Sequence, residues 1–180
     1  MMNYKNLAPK ILRLRLLIFD VDGVLTDGGI TYLSDGAEMR RFDVKDGYSL
    51  CVLHSIGIKT AILSGKVSDV VARRAKELRF DYIIQGNPKK LQAYEKLLSE
   101  TGFKADETGF MGDEIIDLPV MRRSGFSAAP ADAHPAVKAA ADYVCKKAGG
   151  MGAVREVIDL IYAFRTGNFG AVEYLPQEVK

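Results

Sequence analysis

Two acidic residues two positions apart, Asp20 and Asp22, are the first feature of the sequence that could do chemistry. They follow the apolar run 14–19, which is short enough for a buried strand, and Gly23 comes next. If the chain turns out of extended pairing here, both carboxylates can reach one pocket. Turn chemistry alone explains the same residues, because Asp and Gly are common where strands end. A calcium loop is excluded, since Val24 occupies the third ligand position and no matching glutamate follows.

A second acidic group, Asp113, Glu114 and Asp117, lies at a predicted junction between a strand and a helix. Three acids within five residues are costly to place near Asp20 and Asp22 unless a cation neutralises them. A small number of hard oxygen ligands suits Mg²⁺, which keeps several waters and prefers phosphate as a partner. In the alternative interpretation, Asp113 caps the following helix and the other acids face solvent.

The segment Ser64-Gly65-Lys66 ends another predicted strand. A hydroxyl and free amides at the start of a helix form a small anion site. A simple serine cap is the alternative interpretation. A nucleotide P-loop is excluded, because its spacing glycine is missing and Val67 stands where Ser or Thr is required.

Two lysines, Lys89 and Lys90, open a helix predicted at 89–100. The helix dipole disfavours cations at this end, so their position indicates that one of them faces an anion. Together with the acids and Ser64, they form a set suited to phosphoryl transfer. The set holds a nucleophilic carboxylate, a carboxylate for proton transfer, a magnesium site and groups that bind phosphate oxygens. Enzymes accelerate phosphate monoester hydrolysis by up to about 10²¹-fold, which positioning and charge neutralisation must supply together.

The elements that must position these residues alternate along the chain. Short apolar runs predict strands at 14–19, 59–63, 82–84, 108–111 and 143–144. Amphipathic segments predict helices at 46–55 with Asp46 as N-cap, from 67 to 78, and at 89–100, 115–123, 133–140 and 154–164. This alternation predicts an α/β fold with a doubly wound parallel sheet, in which ligands bind beyond the carboxyl ends of the strands. Strand-like runs at 30–33 and 37–44, around a turn, predict a β-hairpin.

The composition predicts one globular domain, residues 1–165, followed by a tail at 166–180. Of the 180 residues, 48% are apolar and 27% are charged, which excludes a wholly disordered chain. The formal net charge of +2 is too balanced for a general nucleic-acid or membrane-surface binder, and we interpret Arg40 and Arg41 as a solvated face. Two cysteines and no apolar stretch near 18 residues predict a cytoplasmic protein without membrane partners.

Several motifs carry a resemblance to a known family. DVDGVLT, LSG and GDEIID, with Lys90 between the last two, fall in the order typical of the haloacid dehalogenase superfamily. More closely, DVDGVLTDG, FDVKDGYS, GDEIIDLPVM, ADAHP and GGMGAVREV resemble the 3-deoxy-D-manno-octulosonate 8-phosphate phosphatases of its capless subgroup. The resemblance extends from about residue 14 to residue 164. It implies a Rossmann-like core, a flap hairpin at about 26–44 and no cap domain.

The resemblance also implies an activity and an assembly. A Mg²⁺-dependent phosphatase would release the free sugar acid in lipopolysaccharide precursor synthesis. The subunits would form a homotetramer in which a neighbour completes each active site. The related phosphatases of nonulosonate 9-phosphates remain the alternative.

The resemblance implies a role for each matching acid. Asp20 would attack phosphorus and form an aspartyl phosphate, while Asp22 would protonate the leaving alkoxide and later activate water. Asp20, the backbone carbonyl of Asp22, and Asp113 would coordinate Mg²⁺. Glu114 and Asp117 would orient these ligands without themselves binding the ion.

The same resemblance implies the substrate contacts. The positions that match the binding site for the phosphorylated substrate are Thr26, Ser64, Gly65, Lys66 and Lys90. Lys66 replaces the arginine with which the octulosonate phosphatases face the sugar-acid carboxylate, so the charge is kept but the bidentate fork is lost. The nonulosonate phosphatases tend to carry Glu at this position. The positive charge therefore favours the eight-carbon substrate.

Other departures from the family pattern are small. Glu114 stands where a second Asp is usual, and we expect a modest effect because a longer side chain still reaches a metal-bound water. Met151 replaces a basic residue between glycines, which weakens any role of that segment in anion binding. Arg155 either reaches substrate or pairs with neighbouring residues. Cys51 and His54 are too few for a zinc site, and we predict that they pack in the core.

Two other classes of protein fit less well. A signalling receiver domain requires an Asp after its third strand, where this chain has Ile84-Gln85-Gly86. A catalytically silent assembly module is disfavoured, because every motif position carries a chemically competent residue.

Overall fold

Eight strands are present in the computed structural model, which describes residues 6–169. In chain order they are β1 Leu16–Phe19, β2 Thr31–Tyr32, β3 Glu38–Met39, β4 Lys59–Leu63, β5 Tyr82–Ile84, β6 Thr108–Met111, β7 Phe126–Ala129 and β8 Tyr143–Val144. Six of them form one parallel sheet in the order β5-β4-β1-β6-β7-β8, while β2 and β3 pair with each other. The predicted doubly wound parallel sheet is confirmed.

Helices cover both faces of this sheet. They are α1 Ala8–Arg13, α2 Val44–Ser55, α3 Asp69–Glu77, α4 Lys90–Thr101, α5 Leu118–Arg123, α6 Pro135–Ala140 and α7 Ala153–Thr166. Side chains of β1 alternate between two apolar clusters: Leu17 and Phe19 pack with α1, α2, α3 and α7, whereas Leu16 and Ile18 pack with α4, α5 and α6. Between residues 6 and 169, none of the helices has the length and apolar content that crossing a bilayer requires.

The carboxyl end of β1 is the point where the chain changes direction across the sheet. From β1 the chain proceeds to β4 and β5 on one side, and then crosses over to β6, β7 and β8 on the other. Phe19 pairs with both Ile62 and Met111, so β1, β4 and β6 end nearly level. A crevice of this kind is where open α/β sheets bind ligands.

The predicted hairpin is present and is shorter than its apolar runs. Only β2 and β3 pair as strands, and a single bridge between Thr26 and Phe42 closes the base of the segment that we call the flap, residues 26–44. The turn is closed by hydrogen bonds between Leu33 and Gly36 or Ala37. Within residues 6–169, the chain between β1 and β4 contains only the flap, α2 and short connections, so the core has no cap domain.

Most predicted elements are confirmed, and several details differ. Helix α1 and strand β7 were not predicted; β7 reads Phe-Ser-Ala-Ala, with one large apolar residue to mark it. Helix α2 begins at Val44, and its N-cap is Asp43 and not Asp46. Asp46 instead accepts hydrogen bonds from the backbone amides of Gly152 and Arg155 and caps α7 from a distance. The predicted tail is part of α7 at Thr166, and its positions 170–180 lie outside the described residues.

Candidate active site

Loops from four strand ends enclose an open pocket of about 450 Å³ in the crevice. Its lining residues are Asp20, Asp22, Gly28, Ile30, Ser64, Gly65, Lys66, Pro88, Lys90, Asp113, Glu114 and Ile116. Of the site residues predicted from the sequence, all but Thr26 and Asp117 line this pocket, and those two are fully buried. The folded chain therefore brings the predicted groups together from positions about 100 residues apart.

Asp20 is the first residue after β1, and its backbone N–H donates to the carbonyl of Met111 at 2.9 Å. Its side chain is buried, with the Lys90 Nζ 2.8 Å from Oδ2. Burial and the charge of Asp117 raise the pKa of Asp20 to about 6, although Lys90 acts in the opposite direction. Lys89 is exposed, so Lys90 is the lysine of the pair that faces an anion.

Asp117 supports the loop after β6 from the protein interior. Its Oδ2 accepts hydrogen bonds from the backbone amides of Asp113 at 3.0 Å and Glu114 at 3.2 Å. Its Oδ1 accepts from Lys90 Nζ at 2.6 Å. One carboxylate thus fixes both the loop that carries Asp113 and the lysine that faces Asp20, which suits the supporting role implied by the resemblance.

The acidic cluster fits a divalent cation. Asp20, Asp113 and Asp117 each place one oxygen within 4.8 Å of the others, and Lys90 compensates one of their three charges. Among the described residues, Oδ1 of Asp113 is buried without a hydrogen-bond partner. Burial, with the charges of Asp20 and Asp117, raises the pKa of Asp113 to about 8. Oxygen ligands with a surplus of negative charge suit Mg²⁺.

The loop after β1 packs closely against Asp113, and glycine permits this approach. Gly23 has a φ of +88°, and a Cβ at this position would overlap the Asp113 carboxylate. Thr26 lies beneath the loop, where its hydroxyl accepts from the amides of Gly23 and Gly28 and donates to the carbonyl of Val21. Thr26 is fully buried and has no surface in the pocket, so its predicted place among the substrate-binding residues is corrected: it shapes the loop.

A second glycine segment supports this loop from below. The Gly150 amide donates to the Val24 carbonyl at 3.0 Å. A Cβ on Gly149 would overlap the carbonyl of Gly23. The segment Gly149-Gly150 is therefore a packing surface for the loop after β1, and Met151 beside it does not line the pocket. Sequence reasoning considered this segment only for anion binding and missed its packing role.

Ser64 lies at the end of β4 with its side chain facing the pocket. It is buried, its amide donates to the Ile84 carbonyl, and its Oγ accepts from the Lys66 amide at 3.3 Å. The Lys66 side chain is exposed at the rim. This arrangement places the hydroxyl at the pocket, where an anion can accept from it, with the positive charge of Lys66 at the rim.

Arg40 is a residue that sequence reasoning placed wrongly. It is 8% exposed, whereas its neighbour Arg41 is exposed as predicted. Its Nε lies 3.3 Å from Asp22 Oδ1 and 3.4 Å from Glu38 Oε1. No signal in the sequence separates the two arginines, because burial depends on how the flap folds back over the core.

The other candidate residues take supporting positions. Glu114 is exposed at the pocket rim, and its Oε1 accepts from the next backbone amide at 2.6 Å. Arg155 does not line the pocket; its Nε donates to Asp159 at 2.7 Å. The His134 amide donates to the carbonyl of Asp113 at 2.8 Å, so the ADAHP segment backs the acidic loop.

Proteins of known family match most of this chain. The sequence profile of the haloacid dehalogenase-like hydrolases matches residues 53–158. The 3-deoxy-D-manno-octulosonate 8-phosphate phosphatase of Escherichia coli strain K12 is 44% identical over 157 residues, which cover 87% of this chain and 83% of the relative.

Solved structures agree with the sequence relatives. The Moraxella catarrhalis 3-deoxy-D-manno-octulosonate 8-phosphate phosphatase, in complex with a magnesium ion, a phosphate ion and a KDO molecule, superposes with a TM-score of 0.89 at 39% identity, covering 94% of this chain and 97% of that one. The cobalt-bound phosphatase of Haemophilus influenzae superposes with a TM-score of 0.84 at 36% identity, covering 91% and 95%. Fold, pocket and sequence therefore lead to one conclusion: this chain belongs to the haloacid dehalogenase-like hydrolase family.

Proposed function

We propose that this protein is a Mg²⁺-dependent phosphatase that hydrolyses 3-deoxy-D-manno-octulosonate 8-phosphate to the free sugar acid and phosphate, in lipopolysaccharide precursor synthesis. The observation that carries the proposal is the convergence of Asp20, Asp22, Ser64, Lys90 and Asp113 on one pocket. The 44% identity to the Escherichia coli phosphatase supports the choice of substrate.

The first step belongs to Asp20. One of its oxygens attacks phosphorus, an aspartyl phosphate forms, and the bond between phosphorus and the sugar oxygen breaks. Lys90, 2.8 Å from this carboxylate, opposes the effect of burial and helps to keep the nucleophile ionised. Asp22 lines the same pocket two residues further on and gives its proton to the leaving alkoxide.

The second step returns the enzyme to its starting state. Asp22, now a carboxylate, takes a proton from water, and the water oxygen attacks the phosphorus of the aspartyl phosphate. Inorganic phosphate leaves, Asp20 is freed, and Asp22 again carries the proton that the next cycle needs.

The phosphoryl group is held by the residues around it. The Ser64 hydroxyl, the amides beside Gly65 and the Lys90 ammonium donate to its oxygens. Asp20, Asp113 and the backbone carbonyl of Asp22 would hold Mg²⁺. When bound, the ion neutralises charge that would otherwise oppose attack of one anion on another.

Lys66 is the residue that we assign to substrate choice. It stands exposed at the pocket rim, outside the buried acidic cluster. With the phosphoryl group at the acidic cluster, a cation at the rim can pair with the carboxylate at the far end of a sugar acid. A nonulosonate substrate is longer by one carbon and would place its carboxylate differently.

Release of inorganic phosphate tests the proposal. The protein is mixed with 3-deoxy-D-manno-octulosonate 8-phosphate or with a nonulosonate 9-phosphate, each with Mg²⁺ and with EDTA. We expect Mg²⁺-dependent release from the eight-carbon ester and much slower release from the nine-carbon ester. Preference for the longer ester would overturn the substrate assignment, and no release from either would overturn the phosphatase assignment.

We further propose that the protein is a homotetramer in which the flap of one subunit covers the pocket of a neighbour. The flap exposes large apolar side chains, including Tyr32 at 68%, Leu33 at 50% and Met39 at 57%. Several exposed large apolar side chains on one hairpin are typical of an interface. Light scattering should give about four times the chain mass of 19.8 kDa, and a monomer mass would contradict the assembly.

A cytoplasmic location is also proposed. Cys51 and Cys145 are both free, which suits a reducing compartment. Cell fractionation of the host should find the protein with cytoplasmic enzymes; recovery in the periplasmic fraction would contradict this.

A further inference from the structure

Arg40 connects the flap to the loop after β1, which carries Asp22. It directly follows β3, and its side chain is 1% exposed although it belongs to a hairpin that is otherwise largely solvent-exposed. Its Nε lies between two carboxylates, 3.3 Å from Asp22 Oδ1 and 3.4 Å from Glu38 Oε1. A buried guanidinium in contact with the proposed acid–base residue is a position with a functional consequence.

The contact continues into the rigid core through Glu38. Glu38 Oε1 accepts a hydrogen bond from the Ser68 hydroxyl at 2.5 Å. Ser68 is the N-cap of α3, and its amide donates to Gln85 Oε1 at 2.9 Å. A continuous chain of charged and polar contacts thus leads from Asp22 through Arg40 and Glu38 to the start of a helix.

Part of the hydrogen-bonding capacity of Arg40 is unused. Among the described residues, its buried Nε and Nη1 have no hydrogen-bond partner, and neither has the buried Oδ1 of Asp22. Buried polar atoms in this state cost free energy and are expected at sites with a function rather than in ordinary packing. Asp22 is still 24% exposed, so the oxygen held near Arg40 is its buried one.

We propose that Arg40 is a positioning residue for Asp22, an inference that rests on the proposed phosphatase function. Its charge holds one oxygen of Asp22 in the interior, so that the other oxygen faces the leaving alkoxide and later the attacking water. Because Arg40 belongs to the flap, the acid–base group is in place only while the flap is seated on the core through Glu38 and Ser68.

If Arg40 positions Asp22, its loss should affect two substrates differently, according to their leaving groups. A sugar alkoxide needs a proton as it leaves, whereas p-nitrophenolate leaves without one. Loss of Arg40 should therefore slow both steps for the sugar phosphate. For p-nitrophenyl phosphate it should slow only hydrolysis of the aspartyl phosphate, so that one equivalent of p-nitrophenolate per site is released in a burst before slow turnover.

The experiment compares Arg40→Met and Arg40→Lys with the matched control Arg41→Met, at saturating Mg²⁺. For Arg40→Met we expect kcat on the sugar phosphate to fall about 10- to 100-fold, part of the 10²- to 10⁴-fold typical of acid–base catalysis, with KM changed less than about threefold. We expect Arg40→Lys to recover part of the loss, because it keeps the charge without the fork. Arg41→Met should behave as the unaltered protein.

Several outcomes would overturn the inference while leaving the phosphatase assignment intact. One is an unchanged kcat in Arg40→Met, and another is a rise in KM alone. A third is an equal loss of kcat on p-nitrophenyl phosphate without a burst, because that result would indicate a structural role of the flap. If Arg40→Met does not melt cooperatively, the same measurements on Arg40→Lys decide. Absence of phosphate release by the unaltered protein would instead overturn the proposed function.

Discussion

The two ends of the parallel sheet each carry a cluster of charged side chains, with opposite electrostatics. At the amino end, Asp81 accepts from Lys59 Nζ at 2.7 Å and from the Thr60 amide at 2.9 Å, with His54 Nε2 3.6 Å away. Burial would raise the pKa of Asp81, but these hydrogen bonds and charges lower it. His54 was predicted to lie in the core with Cys51, yet it joins this amino-end cluster, and Cys51 is exposed.

At the carboxyl end, the cluster of Asp20, Asp113 and Asp117 with Lys90 is left with a surplus of negative charge. The pKa of Asp20 rises to about 6 and that of Asp113 to about 8, with burial as the largest cause in both. The same residue types therefore stabilise one end of the sheet and prepare the other for a cation. Balance of charge, and not acidity itself, distinguishes a structural cluster from a site.

Replacement of Asp20 by Asn, in the carboxyl-end cluster, should have the largest effect of the substitutions that compare the two clusters. We expect kcat to fall by about 10⁴-fold or more, because the nucleophile is lost. Without metal, the variant should melt at the same or a higher temperature, since one of three repelling carboxylates is removed. Phosphate release and thermal melting followed by circular dichroism measure both. Loss of cooperative melting would mean that Asp20 is structural.

Without Mg²⁺, the surplus negative charge should make the stability of the fold depend on pH. Because their folded-state pKa values are raised, Asp20 and Asp113 contribute stability that is present below about pH 4 and lost as pH rises to about 8. Mg²⁺ competes with these protons, so the stabilisation that it gives should grow over the same interval.

Melting with EDTA and with excess Mg²⁺, from about pH 5.5 to about 8.5, measures this effect. An ion at about 100 times its Kd adds about 2.7 kcal/mol, or about 5–10 °C for a chain of this length. A stabilisation that is independent of pH would contradict the electrostatic account of the carboxyl end.

A change at Lys66 should affect substrate binding alone, since this cation stands outside both clusters. We expect Lys66→Ala to raise KM for the sugar-acid phosphate about tenfold, which corresponds to about 1.4 kcal/mol. Lys66→Arg should keep KM close to that of the unaltered protein. A phosphate ester without a carboxylate is the control, and an equal rise of its KM would show that Lys66 binds the phosphoryl group instead.

Replacement of Asp81 by Asn should have the smallest effect and should concern stability only. This substitution makes the same change of shape and charge as that of Asp20. Here, however, it removes a carboxylate whose hydrogen bonds and ion pairs stabilise the fold. We expect the protein to lose about 1 kcal/mol, which lowers the melting temperature by about 2–4 °C, with kcat within about twofold. A large loss of activity would contradict the assignment of a purely structural role to the amino-end cluster.

Local patterns predicted much of this molecule. The strands Lys59–Leu63, Tyr82–Ile84, Thr108–Met111 and Tyr143–Val144 have the predicted bounds, because each is a short segment that ends in apolar residues. Strand β7 escaped prediction because Ser and Ala, which fill three of its four positions, have no strong preference for strands.

The sequence by itself determined the fold class and which acids, hydroxyl and lysine follow which strand, since these depend on periodicity within about ten residues. Only the tertiary structure decided that Arg40 is buried while Arg41 is not, that Thr26 shapes a loop, and that Asp46 caps a helix 106 residues away. These outcomes depend on packing between segments distant in the chain, where burial and the balance of neighbouring charges are set. No pattern of residue types along one segment contains that information.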